Sequence, residues 1–562
     1  MSLTHLAVRR RGAELFRYRG VLLTVLRRYW RPMIVLASGG LLAAMLSLVS
    51  GATAGSRHAH AAPPGRAPLT GPNAQPRTAA DGGRPPNIVY VLTDDLSRDL
   101  LPYMPAVQQM QRQGVTFSNF FVSDSLCCPS RSTIFTGDFP HDTGVFTNAG
   151  KEGGITAFYK HEDQNRSFNI YLQQAGYQTA FMGKYLNGYL QGPTRSPIAD
   201  TAVPPGWNEW DGAGFGYPEF DYELNQNGRL HYYGHQPRDY LTDVIARRGA
   251  GFVRRTARAG KPFFLELATF APHQPYTPPP RYKHAFAQLN APEPAAFDTL
   301  PTDAPKWLSG HGPLTAANIR YINRIFRKRA ESDLAVDDLI NRIKAALRAT
   351  GQLRNTYIVF NSDNGLHTGE YRLMPGKLTA FDTDIHVPLV IDGPGVPAGV
   401  TTSGMAENTD LAKTFEQIAG TSAPCDGHSL MPLLSQAPPP ADWRNAVLVE
   451  HHGPDLQSHY DDEDPDGQDF KVGNPTTYEA MRTPDFLYVE YRDGEREFYD
   501  LRSDPQELHN LASSLSAAAL GQLHTKLQAL ERCHTGDACW AAEHVGPAPT
   551  AAGPAADRKR RG

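Results

Sequence analysis

The run Cys127-Cys128-Pro129-Ser130-Arg131, followed by Thr136-Gly137, places a thiol, a hydroxyl and a guanidinium within about one helical turn. A proline is tolerated in the first turn of a helix, where its missing N–H costs nothing, so the run predicts a helix that begins near Cys127. Backbone N–H groups left unpaired there favour an anion, and Arg131 adds a full charge. A thiol at that position is expected to be acidified and a bound oxyanion welcome. The same spacing also fits two buried cysteines ahead of a helix cap, and local spacing alone leaves the two readings even.

Two further pairs can do chemistry. Asp94-Asp95 follows the β-prone run 87–93, and Asp363-Asn364 follows 357–361. They offer three carboxylates and an amide oxygen, hard donors that suit Ca²⁺ or Mg²⁺, whereas zinc asks for His or Cys. One acidic pair after a strand is more often a helix cap. Two pairs at matching strand ends point to a shared cation, because crowded buried carboxylates repel one another unless neutralised. Lys184, after the run 177–182, and Lys377 are candidates for holding a tetrahedral anion, although a single lysine is usually a solvated one. His273, in Ala271-Pro272-His273-Gln274-Pro275 after the run 262–270, is placed to protonate a leaving oxygen. His367 is weaker and fits a turn cap as well.

The elements that must position these groups are strands alternating with helices. The clearest helix spans 316–350, with Ile322, Phe326, Leu339, Ile343 and Leu347 at helical spacing. The pattern predicts an α/β domain with a mostly parallel sheet, whose ligands bind beyond the carboxyl ends of the strands. After about residue 397 come a helix at 410–418, short β-prone runs over 478–499 with an Asp493-Gly494 turn, and a helix at 513–532, which together read as a small antiparallel sheet carrying a helix. The expected organisation is an export signal or N-terminal anchor at 1–54, a disordered linker at 55–86, a catalytic domain at 87–397, a C-terminal part at 398–541 and a tail at 542–562.

The first 32 residues hold eight arginines, and an apolar run over 33–49 ends in Ala52-Thr53-Ala54, so the chain is expected to be exported and secreted or held at the cell surface. Cleavage and retention as a membrane anchor both remain open. A net charge of −3 argues against nucleic acid as the main partner. Five cysteines make no disulfide scaffold; Cys533 and Cys539 fit a small loop closed in an oxidising compartment, and Cys425 lacks an evident partner. Asp461-Asp462-Glu463-Asp464, interrupted by Pro465 and Gly467, reads as a solvated loop.

Cys127-x-Pro129-Ser130-Arg131-x-x-x-x-Thr136-Gly137 resembles the type I sulfatase signature, and the likeness runs from Asp94-Asp95 to Phe498-Tyr499-Asp500-Leu501 and Asp504-Pro505. Cys127-Cys128, Gly183-Lys184-Tyr185-Leu186-Asn187 and Ser362-Asp363-Asn364-Gly365-x-His367 most resemble the branch of N-acetylglucosamine-6-sulfatases and extracellular heparan endosulfatases. The resemblance implies an alkaline-phosphatase-like fold and a calcium or magnesium ion on Asp94, Asp95, Asp363 and Asn364. It implies that a formylglycine-generating enzyme oxidises Cys127, with Cys128 at the variable position, and that the hydrated aldehyde attacks a sulfate ester of a sugar or an aryl alcohol. Arg131 would then support the nucleophile, Lys184 and Lys377 the oxyanion, and His273 the leaving alcohol. Asn187 and His367 would contact substrate, His367 in place of the histidine that many sulfatases carry where this chain has Leu186. Asp138 stands where a basic residue is common. Two other functions fit the same residues: a phosphodiesterase or phosphonate monoester hydrolase on this scaffold, and a glycan-binding surface protein with an unconverted Cys127.

Overall fold

The structure, a computed structural model, describes residues 84–192, 196–435, 438–453 and 473–549. The export segment, nearly all of the linker, the Asp461–Asp464 loop and most of the tail lie outside them. Among the described residues no helix is long and apolar enough to cross a membrane.

The first strand, β1 (Asn87–Thr93), is buried along its whole length. Its continuous apolar sequence follows from that, because both faces of a central parallel strand meet side chains. Ile88, Tyr90 and Leu92 enter one hydrophobic cluster, and Val89 and Val91 the other. The remaining strands of this sheet are β2 (Val115–Phe117), β4 (Gln178–Lys184), β5 (Glu209–Ala213), β6 (Tyr222–Gln226), β7 (Arg229–Tyr233), β8 (Phe263–Ala268), β9 (Thr356–Ser362), β10 (Leu389–Asp392) and β11 (Val400–Thr402). They lie in the order β11-β2-β10-β9-β1-β8-β4-β5-β6-β7. The central run from β9 to β5 is parallel, while β10 and the β6–β7 hairpin are antiparallel. A short pair, β3 (Phe120–Phe121) and β12 (Ala406–Glu407), lies apart from it.

Helices cover both faces. α1 (Pro105–Gln113), α4 (Leu241–Ala259) and α5 (Ala316–Ala349) bury Val107, Ile245 and Ile343 in the cluster with Val89. α5 starts at a capping box in which Thr315 accepts from the Asn318 N–H and the Asn318 side chain reaches back. α2 (Cys127–Thr136), α3 (Phe168–Gln174) and α6 (Thr409–Ala419) contribute Ile134, Leu172 and Phe415 to the opposite cluster. A second, antiparallel sheet of β13 (Val447–His451), β14 (Tyr478–Arg482), β15 (Phe486–Tyr491) and β16 (Arg496–Asp500) carries α7 (Ala517–Glu531) through Met481, Tyr488, Leu523 and Leu527. This is the α/β class read from the strand–helix alternation. The strand ends differ by one or two residues; Gly183 and Lys184 are the last residues of β4, not the turn after it. Gly183 is required there, since a Cβ would stand 1.8 Å from the Ala268 carbonyl of β8.

Candidate active site

α2 begins at Cys127 itself, after an extended Leu126, so Pro129 occupies the third position of the first turn, two residues later than a proline-led start would have it. All ten residues of α2 are buried, and it stops at Gly137 in the left-handed region, φ 80°. Arg131 lies one turn after Cys127 and shares its face. That face meets the carboxyl ends of the central strands. Asp94-Asp95 follows β1 and Asp363-Asn364 follows β9; β1 and β9 pair in register, Thr93 beside Ser362. Asp95 adopts a left-handed conformation, φ 63°, uncommon for a residue with a Cβ, and its N–H donates to Asp363 Oδ1 at 3.1 Å.

Residues distant in sequence meet here. Cys127 Sγ lies 3.0 Å from Lys377 Nζ, 3.3 Å from Lys184 Nζ and 3.4 Å from Asp94 Oδ1. Lys184 and Lys377 in turn bind Asp94 Oδ2 and Asp95 Oδ1, each at 2.6 Å. Arg131 donates from Nε to Asp363 Oδ2 at 2.8 Å and from Nη1 to the Lys184 carbonyl at 2.9 Å. His273 Nε2 stands 3.6 Å from Asp95 Oδ2, and its Nδ1 is within 2.8 Å of the Gln274 carbonyl, which fixes Nδ1 as the donor and turns Nε2 inward. Asp94, Asp95, Cys127 and His273 present ligand atoms within 4.8 Å of one another.

The electrostatics sort these groups. Burial alone would raise the Asp94 carboxyl, but Lys184, His273, Arg131 and Lys377 hold it well below the usual range. Burial pushes Asp363 up against the pull of Arg131. Burial likewise pushes the Cys127 thiol well up, against Lys184 and Lys377. That corrects the expectation of an acidified thiol: a fully enclosed sulfur loses more from desolvation than a helix N-terminus returns.

The donor set fits a hard divalent cation. Asp95 Oδ2 and Asn364 Oδ1 are buried and take no hydrogen bond from the described residues, while the Asn364 amide donates to Asp95 Oδ1 at 2.7 Å. Orphaned oxygen atoms of this kind, beside a third and fourth oxygen donor in Asp94 and Asp363, are what calcium or magnesium coordinates.

The outer candidates are placed differently. Asn187 receives the Cys128 thiol at 3.2 Å and donates to the Tyr217 hydroxyl at 3.3 Å, so Cys128 fastens the loop after β4. His367 is tied through Nδ1 to Asp384 at 3.0 Å, and its N–H pairs with the Gly376 carbonyl beside Lys377. Asp138 pairs with Arg166. Tyr217 was not singled out from the sequence; its ring lies 4.9 Å from Lys184 Nζ and 4.7 Å from the His273 ring. Nothing local marks it among 24 tyrosines. Asp384 and Asn408, which hold His367 and the Ser130 hydroxyl, were missed for the same reason.

A thiol-bearing helix start, two lysines and paired acidic strand ends on an alkaline-phosphatase-like sheet define a class. The chain belongs to the sulfatase family, enzymes that hydrolyse sulfuric esters: the family model described as Sulfatase matches residues 86–421, and that described as N-sulphoglucosamine sulphohydrolase, C-terminal, matches 369–533. The N-acetylglucosamine-6-sulfatase of Homo sapiens is 35% identical over 487 residues, covering 82% of this chain and 87% of that protein. Among solved structures, one in complex with its substrate D-glucosamine-2-N,6-O-disulfate has a TM-score of 0.66 at 24% identity, covering 80% of this chain and 97% of that one. The phosphonate monoester hydrolase of Agrobacterium radiobacter has a TM-score of 0.60 at 20% identity, covering 79% and 96%. The two structures share the fold and differ in the ester they cleave, so the fold by itself does not choose the substrate.

Proposed function

We propose that this chain is an exported sulfatase that removes the 6-O-sulfate of N-acetylglucosamine or a closely related glucosamine sulfate. The single observation that carries the reading is the contact of Cys127 Sγ with two lysine ammonium groups and the Asp94 carboxylate at the start of a buried helix. The sugar follows from the 35% identity to an N-acetylglucosamine-6-sulfatase across four-fifths of the chain. The Cys533–Cys539 disulfide accords with an oxidising destination, as does the basic, then apolar N-terminal sequence.

In this reading Cys127 is converted to formylglycine, which when hydrated supplies an oxygen nucleophile for sulfur. Asp94, Asp95, Asp363 and Asn364 hold a divalent cation, calcium or magnesium, which supplies charge stabilisation. Arg131, braced by Asp363, keeps positive charge behind residue 127. Lys184 and Lys377 converge on that residue from β4 and from the loop after His367, and so bind the non-bridging oxygens of the ester. His273, with Nδ1 held by the Gln274 carbonyl, delivers a proton from Nε2 to the bridging ester oxygen as its bond to sulfur breaks, so that it leaves as the sugar hydroxyl. Lys184 and Lys377 are almost fully buried, which strengthens both interactions by excluding water.

Peptide mass spectrometry on the exported protein tests the nucleophile: the peptide spanning Ser123 to Arg131 should be lighter by about 18 Da than its cysteine form, as a thiol carbon becomes an aldehyde. The matured enzyme should then release sulfate from N-acetylglucosamine 6-sulfate faster than from an aryl sulfate, and far faster than it cleaves a phosphonate monoester. An unmodified thiol in active protein overturns the mechanism. Preference for the phosphonate overturns the substrate.

A further inference from the structure

A second group of side chains with metal-ligand chemistry sits at the other end of α2. His141-Asp142 follows the C-terminal end of that helix, so about 15 Å of helix separates it from Cys127. There it meets His534, next to the Cys533–Cys539 disulfide and almost four hundred residues away in sequence, and the three ligand atoms lie within 4.8 Å of one another. Asp142 Oδ2 is 3.9 Å from His141 Nε2, and Asp142 Oδ1 is 2.7 Å from His534 Nδ1. Four-coordinate zinc, with bonds of about 2.0–2.1 Å, sets its donors about 3.3 Å apart. These two contacts use different oxygens of Asp142, so bringing one oxygen to both imidazoles takes a turn of the carboxylate and a shift of about 0.6 Å or more. Rotation of the exposed His534 and the half-buried Asp142 supplies that much.

The environment of His141 points the same way. Its Nδ1 is within 2.9 Å of Glu450 Oε2, a carboxylate placed to accept the Nδ1 proton and leave Nε2 facing the disulfide loop, with Asp142 Oδ2 3.9 Å to its side. Carboxylates orient zinc-binding imidazoles in this manner. Nε2 is also 2.7 Å from the Cys533 carbonyl, so an ion would replace the proton on that nitrogen and find a further oxygen donor beside it. The disulfide closes the loop carrying His534, and a cavity of about 850 Å³ lined by Asp142, His534 and Asp537 opens the cluster to solvent.

We propose that His141, Asp142 and His534 bind a divalent transition-metal ion, zinc by the preference of two imidazoles and one carboxylate, and that the ion clips the segment after α2 to the C-terminal disulfide loop. The site is independent of the sulfatase reading, since none of its residues faces Cys127. Untagged full-length protein, held in saturating calcium chloride, is titrated with zinc chloride by calorimetry alongside His534→Ala. The wild type should bind one zinc equivalent that His534→Ala binds at least tenfold more weakly, and zinc should raise the melting temperature of the wild type alone. Cobalt(II) added in place of zinc should give visible absorption in the wild type that is reduced in the variant. His141→Gln, which keeps a polar side chain beside Glu450, should lose the same equivalent. Equal zinc binding by wild type and His534→Ala, or no binding by either, overturns the proposal.

Discussion

Arg131 and Arg444 are each fully buried between carboxylates, and the molecule treats them differently. Arg131 lies 2.8 Å from Asp363 and 3.5 Å from Asp94; Arg444 bonds Asp410 and lies 3.0 Å from Glu543. Around Arg444 the acids are in excess, with buried Glu407 close enough to be felt. There burial prevails: it pushes Glu543 up to about 7 and Glu407 well above the carboxylate range, against the pull of Arg444, so protons settle the imbalance. Around Arg131 the ammonium groups of Lys184 and Lys377 join the cluster, and Asp94 stays ionised in spite of its burial. One cluster is a support that neutralises itself. In the other, Asp94 keeps its charge although burial lifts its neighbour Asp363 to about 6, and a retained charge is what a site needs if it is to grip a cation.

Removing the carboxylate partner from each arginine separates those roles. Asp363→Ala should abolish turnover and release the divalent cation together, read by sulfate release and by metal analysis of dialysed protein. His273→Ala should come next, slowing sugar sulfates by roughly tenfold to ten-thousandfold while sparing an aryl sulfate whose leaving group needs no proton. Equal loss on both esters would remove His273 from the role of acid. Asp410→Ala should cost about 1–3 kcal/mol of stability in denaturant unfolding by leaving the Glu407 and His428 N–H groups without their acceptor, while Glu543 stays to compensate Arg444, and should leave kcat of the folded enzyme unchanged. A drop in kcat there would mean that the two clusters are coupled.

The contrast also shows what could be read from the chain. The acidic pairs after β1 and β9, Lys184 at the end of β4, His273 after β8 and Cys127 at a helix start were legible, because strand ends and helix starts are local patterns that fix where a side chain emerges. So was α5, whose apolar period runs unbroken over 34 residues. Lys377 came from a loop with no period to mark it, so a solvated lysine was the rival reading, and the packing sets its ammonium 3.0 Å from Cys127. The thiol's elevation is not legible at Cys127, since the enclosure of α2 comes from α3, α6 and the short helix Gly154–Lys160, all beyond it in sequence. Cys128 binding Asn187, Asp384 holding His367, and Tyr217 against Lys184 were illegible for a similar reason. Each depends on contacts between segments that only the packed structure brings together.

The smallest effect concerns the self-neutralising cluster. In the unfolded chain a glutamate releases its proton near pH 4.3, whereas Glu543 in the folded protein holds it to about 7. The folded state therefore binds the extra proton between those values, and stability must fall as pH rises through that interval, levelling off above it. Glu543→Gln keeps a side chain that can accept from Arg444 Nη1 but cannot ionise. Its unfolding midpoint in urea should drop less between pH 5 and pH 7 than that of the wild type, while sulfate release at a fixed pH is unaffected. Asp94, held ionised by its lysines, predicts the opposite slope at lower pH: stability contributed by that carboxylate is present above its unfolded value and is lost only as the pH falls well below 4. A Glu543→Gln profile parallel to the wild type would show that Arg444 keeps Glu543 ionised, and that the two clusters handle buried charge alike.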